Sequence, residues 1–473
     1  MDDSYFRLPC SLKLVKPAYD GNNASCKSPF ANADAVPLSV FDKANFDQHI
    51  PLLFFFRPPA PPGAVLEAGL AKALAEYREW AGRRGTDAPV IVLNDAGVRF
   101  VQATADAAAA PGAPRDPTPE MLCLLPTNSD DDEELLMMIQ VTRFTSCGSF
   151  AVGLSFLHLV ADGHAVFNFL GAWGQATRGV GIHPVPVHDR VSLFKPRDPP
   201  RVEFDHRGVE FKTRQDEKAG YTTRQQNVLH PENDDEVVVT MVHFTRDMIS
   251  TLKSQQASTG APPPSRRSYS TLQCVVAHLW RCITKARGLS GSQLITRVHI
   301  AVNGRRRIRS SCSPRVPDGY TGNVVLWARP AMSVDDLTRR PLRETVEAVS
   351  RAISGTDERY FRSFVDFASS GVVEELGLVP AADAAETVLS PDVEVDSLVG
   401  LPIHGADFGT GAPVFYMPGY LPVEGVVFLV PSLAGDDGGV YAYVALFSHA
   451  VNAFKQCCYS ISRGGGGRVK IRA

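Results

Sequence analysis

The chain has 473 residues, a formal net charge of -3 and 44% hydrophobic residues. A single hydrophobic core rarely grows beyond about 250–300 residues, so this length predicts two domains. A nearly balanced charge lacks the basic surface that nucleic-acid binding requires, and we therefore expect no nucleic-acid partner.

The cysteines and the N-terminus bear on location. Nine cysteines show no C-x-x-C pair, and only Cys457 and Cys458 are adjacent. This pattern predicts neither a disulfide framework nor a zinc ribbon, and it favours a reducing compartment. The N-terminus lacks a basic segment followed by an apolar one, and the apolar run 51–56 is far shorter than the roughly 20 residues that span a bilayer. We expect a cytoplasmic protein without membrane association.

Three local patterns predict regular structure. Apolar residues recur on one helical face between Gly63 and Ala81, which predicts an amphipathic helix. The runs 135–145 and 149–157 are strand-like and flank a short turn, which indicates a hairpin. Helical spacing then resumes at 166–173, with Gly179 as the predicted stop.

Polar and Pro-rich stretches divide the chain. Loops are predicted at 106–119, 130–134 and 255–267. The predicted organisation is an N-terminal domain over 1–182, a crossover connection over 183–236, a C-terminal domain over 237–462 and a disordered tail over 463–473.

The motif His158-Leu-Val-Ala-Asp162-Gly163 lies between the second predicted strand and the following helix. An imidazole at a strand end is a candidate general base. Asp162 would be turned away from it, near the helix start, where the helix dipole favours a carboxylate. A single histidine beside an apolar strand is also compatible with a purely structural role.

Other chemistries are less compatible with the sequence. His164 allows a metal site, but no further ligand stands at a usual spacing, so no metal is predicted. The segment 153–157 lacks the second glycine of a nucleophile elbow, and no phosphate-binding loop is present.

Four segments in order give the chain a resemblance to the BAHD family of acyl-CoA-dependent acyltransferases. They are 158–163, 270–281, 302–323 and Asp407-Phe-Gly-Thr-Gly411, which matches the family's D-F-G-W-G. The stretches 36–43, 172–179 and 394–397 are similar to grass enzymes that acylate agmatine, putrescine and tryptamine.

The resemblance implies an α/β fold with two chloramphenicol-acetyltransferase-like domains. Mixed β-sheets would be flanked by helices, with an active-site channel at the domain interface. The implied monomeric enzyme would move a hydroxycinnamoyl group, such as p-coumaroyl or feruloyl, from acyl-CoA to a small amine. Acyl-CoA would be a co-substrate, and no cofactor or metal would be needed.

The resemblance also implies residue roles. His158 would be the base, with Asp407 grouped beside it as catalytic. The implied structural set is Asp162, Gly163, Arg305, Gly409 and Gly411, with Arg305 as the partner of Asp162. The implied CoA and acyl contacts are Ser270, Thr271, Tyr320, Gly322 and Asn323, followed by Lys253 and Arg267. Thr410 and Leu398 stand where relatives carry tryptophan.

Glu394 and Asp396 alternate in a predicted strand, so both would project from one face about 7 Å apart. Two carboxylates so placed suit a cationic amine or guanidinium. They could instead lie on a solvated face, or one could pair with an arginine. O-acylation of an alcohol such as shikimate remains an alternative, as does a non-catalytic acyl-CoA-binding relative, which would not need His158.

Overall fold

The computed structural model describes residues 11–19, 34–86, 89–106, 116–126, 135–213, 236–256, 268–308, 315–382, 388–433 and 438–461. The strands are β1 (Ser11–Val15), β2 (Ala35–Pro37), β3 (His49–Phe56), β4 (Arg83–Arg84), β5 (Val90–Val92), β6 (Val98–Ala105), β7 (Met137–Phe144), β8 (Phe150–Leu157), β9 (Phe211–Lys212), β10 (Val237–Phe244), β11 (Ile295–Asn303), β12 (Val325–Ala328), β13 (Ala331–Ser333), β14 (Val379–Pro380), β15 (Val393–Ser397), β16 (Phe415–Pro418), β17 (Val426–Pro431) and β18 (Val440–Phe447).

The α-helices are α1 (Val40–Lys43), α2 (Gly63–Glu76), α3 (Gly163–Thr177), α4 (Arg246–Gln256), α5 (Thr271–Ala286), α6 (Val334–Arg339), α7 (Leu342–Gly355), α8 (Glu358–Ala368), α9 (Val372–Glu375) and α10 (Ser448–Tyr459). Short 3-10 helices span Arg78–Ala81, Pro119–Leu124, Ser192–Phe194 and Ile403–Gly405.

Two mixed β-sheets form the framework. The first has the strand order β1-β6-β7-β8-β3-β16, and the second runs β10-β18-β17-β15-β11-β12, with β13 also paired to β11. Strands β6 and β7 are parallel, as is β15 with both β11 and β17. The first sheet contributes to one cluster of buried hydrophobic residues, whereas strands of the second sheet contribute to both clusters. The mixed α/β fold predicted from the sequence is confirmed.

The local predictions around the motif are confirmed. Strands β7 and β8 pair antiparallel across a tight turn, as the hairpin prediction required. Every residue of β8 is buried, as expected of a central strand covered on both faces. Helix α3 begins at Gly163 and ends before Arg178, and Gly179 has a positive φ of 71°. His158 therefore follows a rigid, fully packed strand.

The helix predicted from Gly63 to Ala81 is present, with one interruption. Helix α2 ends at Glu76, Tyr77 leaves the helical conformation, and a 3-10 turn completes the segment. Its apolar face, with Leu66, Leu70 and Leu74, is fully buried. Packing of this face against α3 fixes the helix that opens at the motif.

The first sheet includes a strand from the C-terminal half of the chain. Strand β16 pairs antiparallel with β3, from Phe415 beside Phe55 to Pro418 beside Leu52. A domain boundary at residue 237 therefore does not assign every strand to its sheet, because residues 415–418 lie after the boundary but pair with the first sheet. In the described part of the chain, no helix is both long and apolar enough to cross a membrane.

The glycine-rich segment that begins at Asp407 packs directly on α3. A Cβ atom added at Gly174 would lie 2.6 Å from the Asp407 carbonyl oxygen, so only glycine permits this approach. Gly171, one turn earlier, faces Gly405, where a Cβ atom would make an ordinary contact of 3.5 Å. Glycine in the helix is thus used for close contact between α3 and the C-terminal half.

We expect Gly174→Ala to lower the free energy of unfolding by about 1–3 kcal/mol, because the new methyl group must displace backbone. Gly355→Ala is the matched control, since a Cβ atom at this other helical glycine meets nothing within 4 Å. Alanine there should be neutral or slightly stabilising. Urea unfolding of both variants checks this, and equal effects would contradict the packing argument.

Candidate active site

A cavity of about 410 Å³ lies between the two sheets. Strands β3 and β8 supply an apolar wall with Ile50, Leu52 and Phe156, whereas β11 and β15 supply polar side chains. His158 lies on this cavity together with Glu394 and Asp396. The structure thus brings the predicted base and the predicted acceptor carboxylates to one enclosure.

The backbone of His158 is fixed as the chain leaves β8. Its N–H donates to the Gln48 carbonyl at 2.9 Å. The ring meets Phe46 edge to face, with centroids 5.9 Å apart, and Phe156 lies 6.0 Å away on another side. The buried Nδ1 has no hydrogen-bond partner among the described residues.

Burial lowers the pKa of the His158 imidazole, and the negative charge of Asp162 offsets only part of this. A lowered pKa keeps the ring neutral at neutral pH. A neutral imidazole can accept a proton from an attacking nucleophile, which a general base requires.

Asp162 is the N-cap of α3, and its hydrogen bonds make it a structural residue and not a proton carrier. Its Oδ1 accepts from the Ala165 N–H at 3.1 Å, while Oδ2 accepts from Arg305 Nη1 at 2.6 Å and the Val324 N–H at 2.9 Å. Burial alone would raise the pKa of this carboxyl, but Arg305 and the N–H donors lower it below its usual range. The predicted pair with Arg305 is therefore present and buried.

A second buried network holds the carbonyls that follow β8. Asn323 Nδ2 donates to the His158 carbonyl at 3.0 Å and the Leu159 carbonyl at 3.3 Å. Arg190 Nη1 donates to the Val160 carbonyl at 2.7 Å. Asp42 accepts from both Asn323 Nδ2 and Arg190 Nη1, each at 2.8 Å.

Sequence reasoning did not identify Asp42 or Arg190 as site residues. The available signal was local: Ser39 and Asp42 form a capping box at α1, a pattern of the S-x-x-D/E type. That pattern predicts a helix start, and nothing in it predicts contact with the 158–160 carbonyls.

The acceptor face of the cavity carries charges of both signs. Glu394 and Asp396 project into the cavity while Val393 and Val395 pack into the second core, so the predicted alternation is present. Burial raises the pKa of Asp396 to about 7. Arg297 and Arg329 line the same cavity, a feature that sequence reasoning missed.

Arg329 interacts electrostatically with the acidic strand β15. Burial lowers the pKa of its guanidinium, and the charges of Glu210 and Glu394 partly restore it. The alternative that one carboxylate interacts with an arginine therefore applies to Glu394. The raised pKa of Asp396 comes from burial.

A family model described as the Transferase family matches residues 25–461. The chain belongs to this family, the BAHD acyltransferases. Agmatine hydroxycinnamoyltransferase 1 of Oryza sativa subsp. japonica is 56% identical, over 95% of this chain and 97% of that protein. Agmatine coumaroyltransferase-1 of Hordeum vulgare is 55% identical, over 95% of this chain and 98% of its own length. The predicted resemblance to amine-acylating BAHD enzymes is confirmed.

A solved structure, vinorine synthase, shares the fold. Its TM-score is 0.67 at 19% sequence identity, and the match covers 94% of this chain and 96% of that one. At this identity the likeness concerns the arrangement of helices and strands alone.

Tyr320 and Asn323 do not occupy the positions predicted for a BAHD acyl channel. Both side chains have no exposed surface. Tyr320 packs edge to face on Phe194 at 5.3 Å and lies under the Arg305 guanidinium at 5.8 Å. A Cβ atom at Gly322 would strike the Tyr320 hydroxyl. The turn before β12 points inward, behind the 158–160 segment, so these residues support the wall and do not line it.

Asp407 does not join His158 at the cavity. Its Oδ1 accepts from the Gly409 and Gly411 N–H groups at 2.8 Å each, and Oδ2 lies 3.2 Å from Arg178 Nη1. Both glycines have positive φ, 105° and 87°, which favours glycine in this turn. The carboxylate of Asp407 holds the turn against the end of α3. Its grouping as catalytic stays a prediction.

The two departures from the BAHD pattern have different surroundings. Leu398 lines the cavity, and its side chain would touch a Cβ atom at Gly163. Thr410 is not among the lining residues, and its buried hydroxyl has no partner in the described ranges. Only the Leu398 replacement therefore alters the cavity surface itself.

The predicted CoA contacts cluster at the start of α5, away from the cavity lining. Ser270 is the N-cap and accepts from the Gln273 N–H at 3.2 Å. Lys253 Nζ donates to Thr271 Oγ1 at 3.4 Å. Arg267 lies outside the described residues.

One group of side chains could hold a metal ion within the described ranges. It comprises His278, Cys282 and Cys458, all buried between α5 and α10. Neither His158 nor His164 belongs to it. His278 Nε2 already donates to the Cys458 carbonyl at 3.0 Å, so core packing explains its position.

We expect Arg305→Ala to lower the free energy of unfolding by about 3–5 kcal/mol, because it leaves the Asp162 carboxylate buried and unpaired. Arg339→Ala, which removes an exposed partner of Asp335, should change stability little. Urea unfolding with two probes measures both, and similar effects would show that the buried pair is not a structural requirement.

Proposed function

We propose that this BAHD enzyme transfers a hydroxycinnamoyl group from acyl-CoA to the primary amine of agmatine, with His158 as the general base. The observation that carries the proposal is the presence of Glu394, Asp396 and His158 on one cavity. The relatives at 55–56% identity bear the names of agmatine acyltransferases, which supports the same acceptor here.

The proposed reaction is direct transfer without a covalent enzyme intermediate. The neutral amine nitrogen attacks the thioester carbonyl, His158 removes the N–H proton, and a tetrahedral oxyanion forms. Collapse of this species breaks the carbon–sulfur bond, and the proton on the imidazole passes to the leaving thiolate. The amide and free CoA result, and such base catalysis contributes on the order of 10²–10⁴-fold.

The acceptor end of the cavity, which carries Glu394 and Asp396, suits an amine substrate that bears a second positive charge. Agmatine carries a guanidinium at the end opposite its amine, and a guanidinium pairs with carboxylates through charge-assisted hydrogen bonds. The side chains at 394 and 396 lie about 7 Å apart along the strand, so they can hold the distal group at different depths. The aromatic rings of Phe46 and Trp327, 6.2 Å apart and perpendicular, offer flat surfaces for a hydroxycinnamoyl group.

The CoA phosphates are proposed to bind near the start of α5. The N-terminus of a helix favours anions through its free N–H groups and its dipole. Lys253, Ser270 and Thr271 add a cation and two hydroxyls at this 16-residue helix. None of the three lines the cavity, which agrees with contact to the distal, phosphate-bearing part of CoA.

A second candidate is O-acylation of a carboxylate-bearing alcohol such as shikimate. Arg297 and Arg329 on the cavity wall favour it, because an acid would pair with a guanidinium. The carboxylates of Glu394 and Asp396 on the same face would repel an acidic acceptor, which weighs against this candidate. The cytoplasmic location and the monomeric state stay predictions.

We expect His158→Ala to lower the rate of thiol release from p-coumaroyl-CoA with agmatine by about 10²–10⁴-fold, to a residual rate, while the protein stays folded. In the parent enzyme kcat/KM should rise with pH through an acid limb below the ordinary histidine value of about 6.5, because burial lowers the pKa of His158. His449→Ala, at an exposed histidine of α10, is the control and should retain activity.

Retained activity in folded His158→Ala would exclude the base assignment. Release with shikimate and none with agmatine or putrescine would favour the second candidate. If no acceptor causes release of free thiol, a non-catalytic acyl-CoA-binding role would be favoured.

We expect Glu394→Gln and Asp396→Asn each to raise the KM for agmatine at least about tenfold, since each removes a charged hydrogen-bond partner. The KM for acyl-CoA should stay constant. Glu375→Gln, at an exposed carboxylate of α9, is the matched control. An unchanged agmatine KM in both cavity variants would refute the acceptor site.

Titration calorimetry without acyl-CoA adds a pH test. Protonated Asp396 cannot pair with a cation, so agmatine affinity should weaken as pH falls through about 7. Asp396→Asn should lose this dependence.

A further inference from the structure

We propose that Asp42, Arg190 and Asn323 form a carbonyl clamp that positions His158 for proton transfer. The inference rests on the proposed function of His158 as the base. The clamp residues do not line the cavity, so they are positioning residues that act through the 158–160 backbone.

The clamp joins three parts of the chain that are distant in sequence. Asp42 belongs to α1, Arg190 to the crossover connection, and Asn323 to the turn before β12. Their exposed fractions are 0%, 2% and 0%. Asp42 accepts from the Asn323 N–H and Nδ2 through Oδ1 at 2.9 and 2.8 Å, and from Arg190 Nη1 and the Ser39 N–H through Oδ2 at 2.8 Å each.

Such a buried ionic network is poorly explained by stability alone. Replacing a buried ion pair by apolar residues of similar size is often neutral or stabilising, because desolvation offsets the attraction. What this network adds is direction: Asn323 Nδ2 and Arg190 Nη1, which Asp42 holds, both donate to carbonyls of residues 158, 159 and 160.

His158 needs an external means of orientation. In a serine-protease triad, a carboxylate fixes the base through a hydrogen bond to its ring. Here Asp162 is occupied by Arg305 and two N–H groups, so this carboxylate does not orient the ring. The ring is therefore held by the contacts with Phe46 and Phe156 and by its own backbone, which Asn323 holds at the carbonyl.

The clamp also links the two sheets at the reacting centre. His158 ends a strand of the first sheet, and Asn323 precedes a strand of the second. A displacement of about 1 Å at a reacting group can cost on the order of 10²-fold in rate. Loss of the clamp should therefore lower kcat and leave substrate binding intact.

The test is Asn323→Ala, compared with Asn168→Ala. Asn168 is also a buried amide that donates to a backbone carbonyl, but this is the carbonyl of Asp318, at 2.6 Å, outside the 158–160 segment. We expect kcat with p-coumaroyl-CoA and agmatine to fall about 10–100-fold in Asn323→Ala. Both KM values should stay within about twofold, and Asn168→Ala should keep the parent kcat at a temperature where both variants are folded.

A double variant shows whether the effect passes through His158. Adding Asn323→Ala to His158→Ala should leave the residual rate unchanged, since the clamp then has no base to position. Asp42→Asn, which keeps the side-chain shape, supplies a second clamp variant if Asn323→Ala does not fold, and its kcat should fall similarly.

A parent-like kcat in the folded clamp variant, an equal loss in Asn168→Ala, or a further loss in the double variant would each overturn the clamp. Activity retained by His158→Ala would instead overturn the proposed function, so the two failures are distinct.

Discussion

The buried ion pair between Asp162 and Arg305 is the interaction on which the site depends. Asp162 opens α3, which packs on the first sheet, and Arg305 follows β11 of the second. The pair therefore sets the distance between the sheets where the cavity lies. It also occupies the carboxylate four residues after His158. Burial lowers the pKa of the imidazole, and the charge of Asp162 offsets only part of this.

The cavity combines an apolar wall with a strand of carboxylates, and this division matches the two ends of the proposed reaction. Flat aromatic rings near His158 suit an acyl group, whereas Glu394 and Asp396 suit a cation. Arg329 shares this face and interacts with Glu394, so an arriving guanidinium must compete with a resident cation at one position. Burial raises the pKa of Asp396, so this carboxyl is partly protonated at neutral pH. A bound cationic ligand would favour its ionised form.

Sequence reasoning succeeded where structure follows from local pattern. Three features depend on only a few neighbouring residues. They are the hairpin before His158, helix α3, and the alternation that places Glu394 and Asp396 on one face of their strand. It could not supply the direction of a side chain where that direction depends on distant packing. Tyr320 and Asn323 were assigned to the channel by motif position, yet their turn faces the interior. Asp407 was grouped with the base, yet its carboxylate holds a glycine turn.

The sequence by itself determined the family and the base candidate, because short motifs carry that information. The resemblance to the family then implied the Asp162 and Arg305 partnership and the mixed α/β class. Only the tertiary structure decided that Asp42 and Arg190, 148 residues apart, meet behind His158. It also decided that Arg297 and Arg329 share the cavity with the acidic strand. Such contacts depend on how sheets and connections pack, and no local pattern encodes which distant polar groups will share one desolvated space.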